Sequence, residues 1–108
     1  MIYHITLPTQ LAKFNDKDYY EAESLHLESF IHCSTLAQLK ATANRYYSNA
    51  DEIVIFIISE DKLVSELKYE MAKIGEEFPH IYGPINKSAI LEMRWFKANH
   101  GEFHIDIV

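Results

Sequence analysis

The sequence predicts a small α+β fold, in which a mixed or antiparallel sheet packs with two or three short helices. Two patterns support this class: short apolar segments that alternate or run uninterrupted, as in strands, and one longer segment with helical spacing. A chain of 108 residues is long enough to bury a core of its own. We therefore expect a single domain over residues 1–108.

A short strand followed by a helix opens the predicted fold. Residues 2–5 alternate in side-chain character, as a strand does, and Pro8 is tolerated in the first turn of a helix. After a polar break, residues 19–27 fit either a loop or a short helix. The apolar residues of the first helix share one face by their spacing, and they are Leu7, Leu11 and Phe14.

A second strand is predicted at residues 30–33, and a longer helix follows it. Thr35 and Gln38 have the spacing of a capping box, which favours a helix start at this point. The helix is expected to end at Asn49. Its apolar stripe, which we expect to be buried, consists of Leu36, Leu39, Ala43 and Tyr46.

The second half of the chain is richer in predicted strands. Residues 53–58 are all apolar and mostly β-branched, which is typical of a central strand covered on both faces. Residues 59–67 predict a helical turn, and residues 67–71 alternate as a strand. Residues 75–84 contain two prolines and two glycines and predict an irregular segment.

The last part of the chain predicts two strands joined by a turn. Residues 89–96 favour a strand over a helix, and we expect Trp95 to lie in the core. Residues 99–101 read Asn-His-Gly and predict a hairpin turn. Residues 103–107 alternate and predict a final edge strand.

Composition and charge exclude several classes of function. The formal net charge is −6 and no basic stripe is present, which argues against nucleic-acid binding. No apolar run is long enough to span a membrane. Cys33 is the single cysteine, so no internal disulfide can form, and no signal peptide is visible at the N-terminus. We therefore expect a cytoplasmic protein with neither a nucleic-acid nor a membrane partner.

Three histidines lie beside apolar residues in or near predicted strands: His4, His32 and His80. Polar groups in such surroundings need hydrogen-bond partners, and one shared pocket would supply them. If their segments are extended, Ser34 faces the same way as His32, and Tyr82 the same way as His80. The alternative is that each histidine is a core residue whose hydrogen bonds are satisfied locally.

Other uses of these residue types are less favoured. The histidines form no local ligand pair such as H-x-x-x-H, and the sequence points to no carboxylate near them, so we expect no metal, although separated histidines can converge in space. Cys33 alternates away from His32, and a buried cysteine is usually inert packing. Ser34 is a helix-cap candidate before it is a nucleophile. Glu70 could act as an acid or base, but a strand carboxylate is most simply exposed. We interpret the remaining histidines as surface or turn residues, namely His26, His100 and His104.

The same segments resemble the domain-of-unknown-function 952 family. The resemblance runs in order through Y-H-I-T at residues 3–6, F-I-H-C-S at residues 30–34 and F-P-H-I-Y-G-P at residues 78–84. Ser24, Leu25, Gln38 and Glu70 also match its pattern. The chain departs from the pattern at four places. A glycine is usual before F-I-H-C-S, where this chain has Ser29, and just before Tyr19, where it has Lys17 and Asp18. A tryptophan is usual in the first helix, where residues 9–11 offer none, and before the glutamate, where this chain has Tyr69.

The resemblance implies a fold similar to that of the ADP-ribosyltransferases. Y-H-x-T at the first strand looks like the start of small antibiotic-modifying and tRNA-phosphate-processing members of that group, in which the histidine contacts the dinucleotide. His4 is the corresponding residue here. The glutamate that many such enzymes use late in the chain has no clear counterpart after His80.

The implied function is binding or turnover of NAD, or of a related ADP-ribose compound, in a histidine-lined cleft. Cleavage of the bond between nicotinamide and ribose builds positive charge on the sugar, so it needs fixed hydrogen bonds, an aromatic wall and a negative group. His4 and His32 could hold ribose or pyrophosphate oxygens, Tyr82 could stack on a ring, and Glu70 could supply charge. The candidate catalytic residues are therefore His4, His32 and Glu70, and the candidate ligand-binding residues are Ser34, His80 and Tyr82.

A non-catalytic module that binds a small metabolite or a protein is the alternative function. The missing late carboxylate and the acidic composition favour it. The sequence leaves open whether the protein is an enzyme and what its oligomeric state is.

Overall fold

The structure, a computed structural model, describes residues 1–107 and has the α+β class that the sequence predicts. All strand pairs described are antiparallel. The strands are β1 (Ile2–Thr6), β2 (Tyr19–Tyr20), β3 (Ile31–His32), β4 (Glu52–Ile58), β5 (Glu66–Met71), β6 (Glu77–Tyr82), β7 (Ile85–Asn86) and β8 (Ile90–Lys97). The helices are α1 (Pro8–Ala12), α2 (Glu23–Glu28) and α3 (Leu36–Tyr46), with a 3₁₀ turn at Lys87–Ala89.

The strands form three small sheets. One has the order β1-β4-β8, the second is the pair β2-β7, and the third has the order β3-β6-β5. An isolated bridge between Tyr3 and Ser34 joins β1 to the segment that follows β3. The first and third sheets therefore meet along the start of β1.

β4 is the buried centre of the fold, as its uninterrupted apolar sequence predicts. Its side chains alternate between two hydrophobic clusters, with Val54, Phe56 and Ile58 in one and Ile53, Ile55 and Ile57 in the other. Burial of such side chains contributes about 1.5–3 kcal/mol each. The prediction of a strand covered on both faces is confirmed.

α3 begins with the predicted capping box. The Thr35 side chain accepts from the backbone of Gln38, and the Gln38 side chain accepts from the backbone of Thr35. The predicted stripe is only half correct: Leu39 and Ala43 are buried, whereas Leu36 and Tyr46 are 52% and 67% exposed. Leu36 and Tyr46 lie one turn beyond the buried pair at either end, so only the middle of the helix covers the sheet.

The prediction of an irregular segment at residues 75–84 is wrong. Residues Glu77–Tyr82 form β6, the middle strand of its sheet, even though Pro79 lies within it. The carbonyl of Pro79 accepts a hydrogen bond from the amide of Cys33 at 3.0 Å. Because proline has no N–H, the reciprocal hydrogen bond from Pro79 to β3 cannot form. The missing donor therefore faces the side of β3, where strand pairing is only two residues long.

The C-terminal segment also differs from the prediction. Asn99 and Glu102 exchange two backbone hydrogen bonds across a turn in which His100 and Gly101 both have positive φ, so the predicted turn is confirmed. No strand follows in residues 103–107. Phe103 is fully buried instead, and its backbone is bonded by a helix side chain rather than by a neighbouring strand.

Three smaller differences complete the comparison. Residues 19–27 hold β2 and most of α2, where the sequence allowed a loop or a short helix. Residues 59–67 contain two successive i→i+3 hydrogen-bonded turns, consistent with the predicted helical turn, but they also include the start of β5. Trp95 is 53% exposed and not in the core, because β8 is the edge strand of its sheet and leaves one face uncovered.

Among residues 1–107, no helix combines the length and the apolar character needed to cross a bilayer.

The fold makes one residue of α3 important for the C-terminal segment. The Asn44 amide donates to the carbonyl of Phe103 at 3.1 Å, and its oxygen accepts from the amide of Phe103 at 2.8 Å. We expect Asn44→Ala to lower the free energy of unfolding by roughly 1–3 kcal/mol, because two partly buried backbone groups lose their partner. Urea denaturation measures the loss, and Lys40→Ala, an exposed change one turn earlier, should stay within about 0.5 kcal/mol of wild type. Equal stability of the two variants would contradict this account.

Candidate functional site

A cleft of about 1050 Å³ opens between the first and third sheets and α1, α2 and α3. Four of the six candidate residues line it: His4, His32, Ser34 and His80. Glu70 and Tyr82 are not part of its lining, but both contact His80. The structure therefore brings together three histidines that are far apart in the sequence.

His4 is a buried, neutral imidazole in the wall of the cleft. Its Nδ1 lies 2.6 Å from the carbonyl oxygen of His32, and because a carbonyl only accepts, Nδ1 carries the proton. Burial lowers the pKa of His4 to about 4, although the hydrogen bond to His32 partly offsets that effect. His4 therefore presents an acceptor nitrogen, Nε2, at neutral pH.

Tyr20 is a site residue that the sequence did not reveal. It is fully buried, and its hydroxyl lies 2.6 Å from Oγ1 of Thr6 and 3.4 Å from Nε2 of His4. Burial raises its pKa, so the hydroxyl stays protonated. The sequence could have indicated Thr6 as a site residue, because strand alternation places it on the same face of β1 as His4. Tyr20 lay in the segment whose secondary structure was ambiguous.

His80 is held by a carboxylate that lies outside the cleft lining. Its Nδ1 donates to Oε1 of Glu70 at 2.8 Å, and the Tyr82 hydroxyl donates to the same oxygen. The hydrogen bonds from Tyr82 and His80 lower the pKa of Glu70, and the bond to Glu70 raises the pKa of Tyr82. Glu70 therefore orients His80 rather than facing the cleft.

Phe30 is a second residue that the sequence did not single out, although it opens the F-I-H-C-S segment. Its ring stacks on the imidazole of His80, with centroids 4.0 Å apart and planes at 20°. It also packs edge-on against His32, at 4.8 Å. Phe30 lines the cleft and supplies an aromatic wall there.

His32 is the most exposed of the three histidines, with 54% of its side chain accessible. Its Nε2 lies 2.9 Å from a carboxylate oxygen of Glu28, at the end of α2. Ser29 follows in the left-handed conformation, with φ of 75°, and turns the chain into β3. A glycine adopts this conformation more easily, which accounts physically for the glycine that is usual at this place.

His32 and His80 are direct neighbours across the β3–β6 ladder. The hydrogen bond from Cys33 to Pro79 marks the adjacent residue pair as the hydrogen-bonded one. The two histidines therefore form a non-hydrogen-bonded pair, in which side chains approach more closely. Their ring centroids are 5.4 Å apart and their planes are at 82°.

Cys33 and Ser34 have structural contacts. Cys33 is buried and free, and burial raises the pKa of its thiol, which disfavours the nucleophilic thiolate. Ser34 exchanges two backbone hydrogen bonds with Tyr3, at 2.7 and 2.9 Å. Thr35, not Ser34, is the N-cap of α3. Among residues 1–107, no group of three or more histidine, cysteine and acidic side chains is arranged to enclose a metal ion.

The neutral state of His4 predicts a pH-dependent stability. Its pKa is near 6.5 when unfolded and about 4 when folded, so the unfolded chain binds a proton first as the pH falls. The contribution of His4 is fully present above pH 6.5 and is lost between about pH 6.5 and 4, amounting to roughly 3 kcal/mol. We expect His4→Gln to flatten the stability profile in this window relative to wild type. Denaturant unfolding at successive pH values measures it, with His104→Gln, an exposed position, as the control. Parallel profiles for wild type and His4→Gln would contradict the assignment.

The comparisons with known proteins agree on the fold and assign no activity. The crystal structure of protein CC0527 from Caulobacter crescentus is similar, with a TM-score of 0.86, 23% identity, and coverage of 95% of this chain and 92% of that one. The crystal structure of a double mutant of the same protein has a TM-score of 0.86 at 22% identity, with the same coverage of both chains. Its solution NMR structure gives 0.79 at 22% identity over 94% and 89% of the two chains. No curated protein matches this chain.

The sequence profile described as "Protein of unknown function (DUF952)" matches residues 5–93. That range holds most of the chain, including His32, Ser34, Glu70 and His80. The chain therefore belongs to the DUF952 family.

Proposed function

We propose that the cleft binds NAD or another ADP-ribose compound, which would place the protein with the ADP-ribosyltransferase-like folds. The observation that carries the proposal is the convergence of His4, His32 and His80, from three separate strands, on one cleft. Polar groups that meet in a cleft with apolar walls are the usual mark of a small-molecule site. A cytoplasmic location belongs to the same proposal, and the free buried thiol of Cys33 is in keeping with it.

The size and walls of the cleft suit a dinucleotide. Sites for drug-sized ligands occupy about 300–1,000 Å³, and this cleft has about 1050 Å³. Aromatic side chains from three parts of the chain line it and could stack on nicotinamide or adenine, namely Phe30, Tyr46, Tyr47 and Phe78.

The polar groups of the cleft suit the ribose and phosphate parts of such a ligand. Lys13 and Lys73 line it and could pair with pyrophosphate oxygens. Ser34 offers a hydroxyl group to ribose. His4 holds the wall beside them, with its Nδ1 bonded to His32 and its Nε2 3.4 Å from the Tyr20 hydroxyl.

Binding without turnover is the second candidate function, and the position of Glu70 favours it. A charge that stabilises a cationic sugar must lie close to that sugar, yet Glu70 is bonded to His80 and Tyr82 and does not line the cleft. Glu23 and Glu28 do line it, but Glu28 is paired with His32. The protein would then hold its ligand and release no nicotinamide.

Isothermal titration of the full chain with NAD and with ADP-ribose tests the proposal. We expect saturable binding, and we expect Phe30→Ala to weaken it about tenfold, because a ring stack contributes about 1 kcal/mol or more. Trp95→Ala removes an exposed aromatic residue from β8, outside the cleft lining, and should bind as wild type does. No heat and no thermal shift with either compound at millimolar concentration would overturn the proposal.

Release of nicotinamide separates the two candidate functions. With NAD bound, an enzyme produces free nicotinamide over time, whereas a binding module leaves NAD intact. Chromatography of the incubated mixture measures it. His32→Ala then serves as the check on site assignment, since this exposed side chain can be removed with little loss of packing.

A further inference from the structure

We propose that His32 and His80 form a binding site for a divalent transition-metal ion, with Zn²⁺ as the representative metal. The site shares His32 and His80 with the proposed dinucleotide cleft, but Zn²⁺ binding there requires no dinucleotide. It rests on the paired imidazoles, on the carboxylates bonded to them, and on the separation of the two rings.

Each of the two imidazoles has one nitrogen engaged and one nitrogen available. Nδ1 of His80 is bonded to Glu70, and Nε2 of His32 is bonded to Glu28. His80 has a side chain only 10% exposed, and within residues 1–107 no buried side-chain nitrogen lacks a partner. Its free Nε2 is therefore reached by solvent, and the exposed ring of His32 offers Nδ1. Two lone pairs are available in one cleft.

The carboxylates match the usual surroundings of metal-bound histidine. A histidine that ligates a metal almost always donates its other N–H to a carboxylate, a carbonyl or water, which fixes the tautomer and raises the basicity of the ligating nitrogen. Glu28 and Glu70 make these bonds at 2.9 and 2.8 Å. The negative charge beside each ring also favours an added cation. The sequence pointed to neither carboxylate as a neighbour of a histidine.

The distance between the rings suits a tetrahedral ion. A metal bonded at about 2.1 Å to a ring nitrogen lies roughly 3.2 Å from the ring centroid. With both free nitrogens bonded to one ion, centroids 5.4 Å apart would subtend about 115° there, close to the tetrahedral angle of roughly 109°. The β3–β6 ladder holds the rings at this separation without a metal, because the two residues are direct cross-strand neighbours.

The ligand type selects the class of metal. Imidazole nitrogens suit Zn²⁺, Cu²⁺ and Ni²⁺, whereas Mg²⁺ and Ca²⁺ prefer oxygen ligands. The described residues offer no third protein ligand in a closed cage, so water completes the coordination and leaves open positions facing the cleft. Such a site binds more weakly than a structural zinc site with four protein ligands.

Titration of the metal-free full chain with Zn²⁺ tests the site. We expect one ion per chain, loss of binding in both His32→Ala and His80→Ala, and weakening of about 10–100-fold in Glu70→Gln and Glu28→Gln. His26→Ala is the matched control, because His26 is an exposed histidine paired with Glu21 that has no histidine neighbour across a strand. It should keep wild-type affinity, and Mg²⁺ should give no heat at the same concentration.

Two results would overturn the proposal. One is wild-type Zn²⁺ binding by His32→Ala, a substitution at an exposed position for which circular dichroism is expected to show an unchanged fold. The other is the absence of Zn²⁺ binding by the wild-type chain at millimolar metal. Substitution with Co²⁺ adds a readout that a merely structural histidine would not give, since its visible absorption reports imidazole coordination and should disappear in either histidine variant.

Discussion

The contact between β1 and the end of β3 is the constraint on which the rest of the molecule depends. Tyr3 and Ser34 exchange two backbone hydrogen bonds there, and one residue farther along, the His4 imidazole donates to the carbonyl of His32. These bonds join two sheets that otherwise have separate strands. The cleft lies beside this line, since His4, His32 and Ser34 are part of its lining.

Two kinds of polar residue surround that cleft, and they serve different purposes. The group of His4, Tyr20 and Thr6 is buried and its hydrogen-bonding groups are satisfied internally, so it stabilises the wall and keeps the His4 ring in one tautomer. His32 and His80 each have one ring nitrogen without a protein hydrogen bond and a carboxylate bonded to the other. The internal hydrogen bonds of the first group contribute to stability, whereas the available ring nitrogens of His32 and His80 can bind a ligand.

Local sequence patterns predicted much of the fold. The apolar run of β4, the capping box at Thr35 and the Asn-His-Gly turn each depend on neighbouring residues, and each is present in the structure. The errors occur where the local structure depends on residues that are distant in the sequence. Pro79 argued against a strand until its partners were known, and Phe103 takes its hydrogen bonds from Asn44, 59 residues away in sequence.

The same distinction applies to the site. The three histidines were identifiable because each is a polar residue in an apolar segment, and the structure brings them to one cleft. Their partners were not identifiable, because the pairing of His80 with Glu70 follows from the β5–β6 register and that of His32 with Glu28 from the way α2 ends. Phe30 and Tyr20 complete the site through packing that no local pattern records.

The proline inside β6 also limits the length of the β3–β6 ladder. Side chains alternate along a strand, so a slip of β3 by one residue would move the His32 ring to the face now occupied by Cys33 and would bury it. In the observed alignment the amide of Cys33 donates to the carbonyl of Pro79, and the absent N–H of Pro79 discourages any longer ladder beyond it. A residue with no side-chain chemistry of its own thus ends the ladder directly beside the imidazole pair.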